Sequence, residues 1–287
     1  MDLVEFLKIF FIGIIEGITE WLPVSSTGHM MIFERFFPLG FSDAFVNLFE
    51  YVVQLGAILA VVVCFWKRIT PFKTEVEGEG SIERRKLRLN KDALSLWAKV
   101  IVACIPAVFA FFIDKLLEKF VSGKTEVVMV ACALIFYGVV FIVVEILNKN
   151  RSPKISEVSE IGYKTAFLIG AFQVLAAVPG TSRSGITIIG ALLLGVSRVA
   201  AAEFTFLLAI PTMIGTSGYK ILNYFINGNT LAAPQISALL FGSLIAFAVS
   251  LFAVKFLMNF VKKHDFKPFG IYRIALGALV IVLCILI

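Results

Sequence analysis

The stretch Glu16-Gly-Ile-Thr-Glu-Trp-Leu-Pro-Val-Ser-Ser-Thr-Gly-His29 places a polar turn inside an apolar region of about residues 4–37. A second apolar region, about 163–196, is interrupted in the same way by Pro179-Gly-Thr-Ser-Arg-Ser-Gly185. Proline interrupts helices, and charged residues are rare in hydrocarbon unless function requires them. Each region is therefore predicted to form two half-helices joined by a turn, a re-entrant element that protein or a water-filled cavity must cover.

The rest of the chain is apolar enough to fix the class of protein. Of its 287 residues, 59% are hydrophobic and 16% are charged, and the mean hydropathy is +0.94. Six runs reach the roughly 20 apolar residues that a membrane-spanning helix needs. They lie at about 41–66, 94–114, 127–147, 198–222, 234–258 and 271–287. The predicted fold is an all-α polytopic membrane protein with six transmembrane helices and two re-entrant helix-turn-helix elements, which excludes an ordinary soluble domain.

The two interrupted regions resemble one another, which indicates an internal duplication. Phe11-Ile-Gly13 followed by Pro23-Val-Ser-Ser26 parallels Phe167-Leu-Ile-Gly170 followed by Pro179-Gly-Thr-Ser182, with a one-residue offset. We predict a single membrane domain, 1–287, with repeat halves at about 1–147 and 163–287. One copy would enter from each side of the membrane. Such an inverted-topology repeat brings two broken helices together near the midplane.

Basic residues in the loops predict the orientation. If both interrupted regions turn back rather than cross, the loops at about 67–92, 148–164 and 259–270 share one side and carry most of the basic residues. The positive-inside rule makes that side cytoplasmic, including the basic loop at 67–92, and puts both termini outside. Topology then accounts for the net charge of +6, so no nucleic-acid partner is implied.

The first turn holds candidate cation ligands and a candidate nucleophile. On a helix Glu16 and Glu20 share one face, so their carboxylates would share a proton or bind a hard cation such as Mg²⁺ or Ca²⁺. A solvated helix face is the plainer alternative. Ser26 lies three residues before His29, and a hydroxyl within reach of an imidazole can be an activated nucleophile. Helix capping is the alternative for the hydroxyls of this turn, and it is favoured for Ser25.

The second turn holds candidate anion ligands. A glycine-flanked turn that opens a helix offers backbone N–H groups, to which Ser182, Ser184 and Thr187 add hydroxyls. Arg183 supplies a planar, permanently charged fork that can bind two phosphoryl oxygens at once. A salt bridge from Arg183 to a glutamate is the structural alternative. The two turns together therefore point to a phosphate group.

The two motifs resemble those of the bacterial undecaprenyl-diphosphatases, the bacitracin-resistance type of membrane phosphatase, and the resemblance extends over essentially the whole chain. It implies hydrolysis of undecaprenyl diphosphate in the bacterial cytoplasmic (inner) membrane, which recycles the lipid carrier for peptidoglycan synthesis. It also implies a divalent cation, and a fold of six spans with two re-entrant hairpins. The family's functional positions correspond to Glu16, Glu20, Ser26, His29, Ser182, Arg183, Ser184 and Thr187.

The resemblance and the residue types together give each position an expected role. The expected catalytic residues are Ser26, His29, Glu20 and Arg183. The expected ligands of Mg²⁺ or Ca²⁺ are Glu16 and Glu20. The expected diphosphate-binding residues are Arg183, Ser182, Ser184, Thr187 and Thr27. The attacking group is open between Ser26, His29 and water.

An anion transporter or lipid-phosphate flippase is the rival function, because broken helices in inverted repeats are typical of transporters. Anion transport requires the arginine, whereas hydrolysis also requires the glutamate pair, the hydroxyl and the histidine. The expected partners are a polyprenyl diphosphate and membrane lipid. The tail would lie between helices and lipid, and the headgroup in a cavity that opens to the periplasmic or extracellular side. A homodimer is left open.

Overall fold

A computed structural model of the chain describes residues 2–77, 84–117, 121 and 123–286. Within them, six helical stretches are long and apolar enough to cross a membrane, which confirms the predicted all-α polytopic class. The helices are α1 (Leu3–Thr19), α2 (Ser26–Phe36), α3 (Asp43–Cys64), α4 (Trp66–Ile69), α5 (Lys91–Cys104), α6 (Ala107–Leu117), α7 (Lys124–Asn148), α8 (Tyr163–Gln173), α9 (Arg183–Leu193), α10 (Arg198–Ile226), α11 (Ala233–Phe260) and α12 (Lys267–Leu286).

The second span is not the one continuous helix predicted at about 94–114. Helix α5 ends at Cys104 and α6 begins at Ala107, on either side of Pro106. Proline has no N–H to donate, and its ring clashes with the carbonyl four residues earlier, so the helix is interrupted there. The other five predicted spans agree with long helices to within a few residues.

Both interrupted regions form pairs of short helices joined by a turn. Helices α1 and α2 contact each other across residues 20–25, and α8 and α9 contact each other across residues 174–182. Helices α2, α8 and α9 have 11 residues each. That is about half the length needed to span a bilayer. The side from which each pair enters the membrane stays a prediction.

The predicted basic loop at 67–92 contains secondary structure of its own. Strand β1 (Phe72–Glu77) pairs antiparallel with β2 (Arg84–Leu89), and the register puts Phe72 opposite Leu89. The sequence predicts only a polar loop there, because two short strands rich in charged residues give little periodic signal. Residues 78–83 of this loop lie outside the described residues.

Contacts between helices follow the same pattern in the two parts of the chain. Helix α1 packs on α11 while α8 packs on α5, and α3 packs on α11 while α10 packs on α5. Helix α3 also packs on α10, and α7 on α12. These pairings are those expected of two copies related by a two-fold axis. The inverted orientation and the boundaries 1–147 and 163–287 stay predictions.

Glycine allows close approach where α8 crosses α5. A Cβ on Gly170 would lie 1.9 Å from the Ala103 carbonyl oxygen. Gly170→Ala is therefore expected to push these helices apart and to destabilise the fold by about 1–3 kcal/mol. The thermal unfolding midpoint of the purified protein in detergent measures this. Gly162→Ala is the matched control, because no described atom lies within 4 Å of its added Cβ. Equal midpoints for the two variants would contradict the packing.

Candidate active site

The two turns share an unusual backbone conformation. Ser25 (φ 75°) and Ser182 (φ 62°) are the non-glycine residues with positive φ in the described part of the chain. Each is the N-cap of a second half-helix, and its Oγ accepts a hydrogen bond from the backbone N–H of Gly28 (3.5 Å) or Gly185 (3.3 Å). Such strain costs about 1–3 kcal/mol and is found mainly at functional sites.

Glu20 joins the two turns. Its Oε1 accepts a hydrogen bond from Arg183 Nη2 (3.0 Å), and its Oε2 accepts one from Ser26 Oγ (3.0 Å). Its backbone carbonyl also accepts a hydrogen bond from Ser184 Oγ (3.1 Å). A carboxylate, a hydroxyl and a guanidinium from the two motifs are thus in direct contact, although the motifs are far apart in the chain.

Arg183 forms a salt bridge with Glu20, the alternative to anion binding. Some of its N–H donors nevertheless have no partner among the described residues. Only Nη2 is engaged, by Glu20 and by Gln54 Oε1 at 3.4 Å. The other N–H groups of the guanidinium donate to no atom of the described residues, and the side chain is 21% exposed. Because the guanidinium carries five N–H donors, the remaining ones are available to a ligand.

Glu16 lies one helical turn before Glu20 and is buried, with 4% of its surface exposed. Its Oε1 has no hydrogen-bond partner among the described residues. A buried carboxylate oxygen without a partner is costly, so it requires a proton or a cation. The described residues contain no group of three or more acidic, His or Cys residues placed to hold a metal. A cation here would therefore need further oxygen ligands.

In the described residues, the His29 side chain forms no hydrogen bond with Ser26. Its Nδ1 lies 2.7 Å from the Ser25 carbonyl oxygen and its Nε2 lies 2.7 Å from the Tyr272 hydroxyl, whose ring stacks on the imidazole. A neutral imidazole with its proton on Nδ1 would donate to the carbonyl and accept from the tyrosine. Ser26 and His29 are therefore close in sequence but not hydrogen-bonded, because the serine hydroxyl donates to Glu20.

The remaining predicted anion ligands differ in position. Ser182 and Ser184 are 3.2 Å apart at their hydroxyls, at the start of α9. Thr27 is exposed and lines a cavity. Thr187 is buried, donates to the Arg183 carbonyl (2.9 Å) and accepts from Thr205 (2.9 Å). Ser182, Ser184 and Thr27 therefore lie in the two turns. Thr187 is buried one helical turn after Arg183.

A cavity of about 1060 Å³ reaches the first turn, whereas Glu20, Arg183 and Ser184 line a separate pocket of about 10 Å³. The larger cavity extends from Glu16 and Ser26 to Glu34, near the end of α2, and Lys124, at the start of α7. Polar residues of α3 and α10 line one part of its wall, namely Asn47, Glu50, Tyr51, Gln54 and Lys220. Apolar residues of α2, α7 and α12 line another, namely Met30, Met31, Ile32, Val127, Val280 and Leu283. A cavity with such walls suits a ligand with a charged head and an apolar tail.

Two contacts in the site were missed by sequence reasoning. Gln54 is only one of several polar residues in the predicted spans, and nothing in its sequence context links it to Arg183. Tyr272 opens the last predicted span, where an aromatic residue is typical of a membrane interface. Neither position carries a signal that separates a site residue from a packing residue.

Comparison with known proteins gives matches over nearly the whole chain. The family model described as bacitracin resistance protein BacA matches residues 9–279. A protein of Enterococcus faecalis named undecaprenyl-diphosphatase is 51% identical over 284 residues, which cover 99% of this chain and 98% of the relative. Proteins of the same name from Streptococcus agalactiae and Acetivibrio thermocellus are 50% and 49% identical, covering 98% and 97% of this chain and 97% of each relative.

Proposed function

The chain belongs to the bacitracin resistance protein BacA family, and we infer from this membership that it is an enzyme that hydrolyses undecaprenyl diphosphate to undecaprenyl phosphate and inorganic phosphate. It is a multi-pass membrane protein that acts on a lipid diphosphate. The reaction recycles the lipid carrier for cell-wall synthesis, and the family links it to bacitracin resistance. The resemblance seen in the two motifs is thereby confirmed.

One contact carries the assignment of the active site. Glu20 holds Ser26 on one oxygen and Arg183 on the other, and Ser26 lines a cavity of mixed polarity. Phosphoryl transfer needs mainly positioning and neutralisation of charge. We propose that Arg183, with Ser182, Ser184 and Thr27, holds the diphosphate. The free N–H groups of Arg183 would bind phosphoryl oxygens while Nη2 stays on Glu20.

Ser26 is the proposed nucleophile, with Glu20 as its base. In the first step Ser26 Oγ attacks the terminal phosphorus and its proton passes to Glu20 Oε2. The bond from that phosphorus to the bridging oxygen breaks, and undecaprenyl phosphate leaves with the electron pair. Water then attacks the phosphorus of the phosphoserine, and the Oγ–P bond breaks with its electron pair on Oγ. Oγ recovers its proton from Glu20, and inorganic phosphate leaves with both protons of the water. His29 would act indirectly, by fixing the first turn through the Ser25 carbonyl.

A divalent cation fits the carboxylates of the first turn. Glu16 offers a buried oxygen with no partner among the described residues, and Glu20 lies one helical turn away. Carboxylates, phosphoryl oxygens and water are the ligands that Mg²⁺ and Ca²⁺ prefer. We propose that Glu16 and Glu20 hold the cation, which would neutralise charge on the diphosphate when bound.

Glu16→Gln is expected to raise the free Mg²⁺ concentration that gives half-maximal activity by at least about tenfold, because it removes one anionic ligand. Phosphate release measured in a series of EDTA-buffered Mg²⁺ concentrations gives this value. Glu126→Gln is the matched control, since Glu126 is a carboxylate that lines the same cavity and lies outside the two turns. An unchanged Mg²⁺ requirement in Glu16→Gln would contradict the proposed ligand.

The cavity end near Glu34 and Lys124 is proposed to face the periplasm or cell exterior, because the basic loops lie toward the other end of the helices. Undecaprenyl diphosphate would then enter laterally, with its tail along the apolar wall. Labelling of single cysteines in intact cells tests this orientation. Association as a homodimer stays a prediction, which cross-linking in membranes would test.

The activity is tested by measuring phosphate release from undecaprenyl diphosphate by the purified protein in detergent, with and without EDTA. We expect release that requires Mg²⁺ or Ca²⁺. Absence of release at every concentration of either cation would contradict the function. Movement of labelled lipid phosphate across liposome membranes in that case would favour a flippase.

A further inference from the structure

Arg273 is a fully buried cation on α12, with 0% of its surface exposed. Its Nη2 donates to the carbonyl oxygens of Gly180 (3.0 Å) and Thr181 (3.2 Å), and its Nη1 donates to the carbonyl oxygen of Pro23 (3.4 Å). The first two carbonyls belong to the second turn and the third belongs to the first turn. One guanidinium therefore joins the backbones of both turns.

Arg273 forms no ion pair with any carboxylate of the described residues. Its guanidinium carbon lies 5.9 Å from the centre of the Tyr137 ring, and its Nε has no hydrogen-bond partner in the described part of the chain. Burial of an unpaired cation is unfavourable, so a purely structural role would be served better by apolar residues. We therefore infer that Arg273 is needed to hold the backbone carbonyls of the two turns together.

The bridge acts on residues next to the proposed reacting groups. Pro23 lies three residues before Ser26, and Gly180 lies three residues before Arg183. The separation of the two turns sets how far the nucleophile stands from a phosphoryl group held by Arg183. A planar fork with several donors can fix that separation, whereas the ammonium of lysine is a single point on a flexible chain.

We propose that Arg273 is a positioning residue for the hydrolysis, which holds the two turns at the separation that aligns Ser26 with the diphosphate. This rests on the proposed function. Arg273 touches no substrate in this proposal and acts through the backbone carbonyls that it binds. A misplacement of reacting groups by about 1 Å can slow a reaction by about 100-fold.

Arg273→Lys tests the proposal because it keeps the charge and removes the fork. We expect kcat for phosphate release to fall by about 100-fold with KM nearly unchanged, since each turn keeps its own ligands. We also expect faster backbone hydrogen exchange in peptides covering residues 21–30 and 178–187. Arg273→Gln serves as a second variant if the lysine variant does not elute as a folded protein on size exclusion.

Arg198→Lys is the matched control, because Arg198 forms a bidentate ion pair with buried Glu145 outside the proposed site. It should lower the unfolding midpoint without changing the kinetics per folded molecule. An unchanged kcat in Arg273→Lys, unchanged exchange in both turns, or an equal kcat loss in Arg198→Lys would each overturn the proposal. In a further outcome, the wild-type protein releases no phosphate while Arg273→Lys still exchanges backbone hydrogens faster in both turns. That result would support the bridge between the turns, but it would overturn the role of Arg273 in hydrolysis together with the proposed function.

Discussion

Replacing Ser26 with alanine is expected to lower the rate of phosphate release by at least about 10³-fold, because it removes the proposed nucleophile. In the structure its hydroxyl already donates to a carboxylate. Deprotonation requires this hydrogen bond. Release of inorganic phosphate from undecaprenyl diphosphate measures the rate. In the wild type, rapid quenching of a reaction with substrate labelled on the terminal phosphate should trap label on the protein.

Ser237→Ala is the control for this substitution, because the Ser237 hydroxyl donates to a carbonyl of its own helix and lies outside the cavity lining. It should retain the wild-type rate. If Ser26→Ala kept more than about a tenth of the activity and no label were trapped, water would be the attacking group and Glu20 its base.

Replacing Arg183 with lysine is expected to lower kcat/KM by about 10²–10³-fold, although the positive charge is kept. Lysine cannot donate to Glu20 and also present a planar pair of N–H groups to a phosphoryl group. The loss should exceed that of Arg198→Lys, in which the affected ion pair includes no residue of the two turns. The measurement is the concentration dependence of phosphate release for both variants and the wild type.

A smaller loss in Arg183→Lys, equal to that of Arg198→Lys, would show that the arginine supplies only stability through its bond to Glu20. A loss confined to KM would show that it binds substrate and transition state equally well. Either result would remove Arg183 from the group of catalytic residues.

The sequence was informative where hydrocarbon makes polar residues costly. Pro23 and Pro179, with their polar neighbours, predict two broken helices, because irregular backbone and charge are not tolerated in a span exposed to lipid. The spacing of Glu16 and Glu20 likewise predicts two carboxylates on one face, because helix geometry fixes positions four residues apart. Both features depend on local sequence, and both are present in the structure.

The features that escaped prediction depend on contacts between distant parts of the chain. Ser26 donates its hydrogen bond to Glu20 and not to His29, because the turn at 20–25 places the Glu20 carboxylate beside the serine hydroxyl. The His29 imidazole is hydrogen-bonded to Tyr272 instead. Arg273 lies inside a predicted span, where a charge indicates a functional site by default. That signal was present in the sequence, but its partners, the carbonyls of two turns, could not be identified without the fold.

The volume of the cavity has a consequence for how substrate and product compete. A volume of about 1060 Å³ is at the upper limit for a drug-sized ligand, so most of a long polyprenyl tail must stay among lipid chains. Each buried methylene of that tail contributes about 0.8 kcal/mol to membrane partitioning, and this is equal before and after hydrolysis. The bilayer therefore confines both molecules to two-dimensional diffusion. Occupancy of the enzyme is then governed by their mole fractions in the leaflet and by the single phosphoryl group in which they differ.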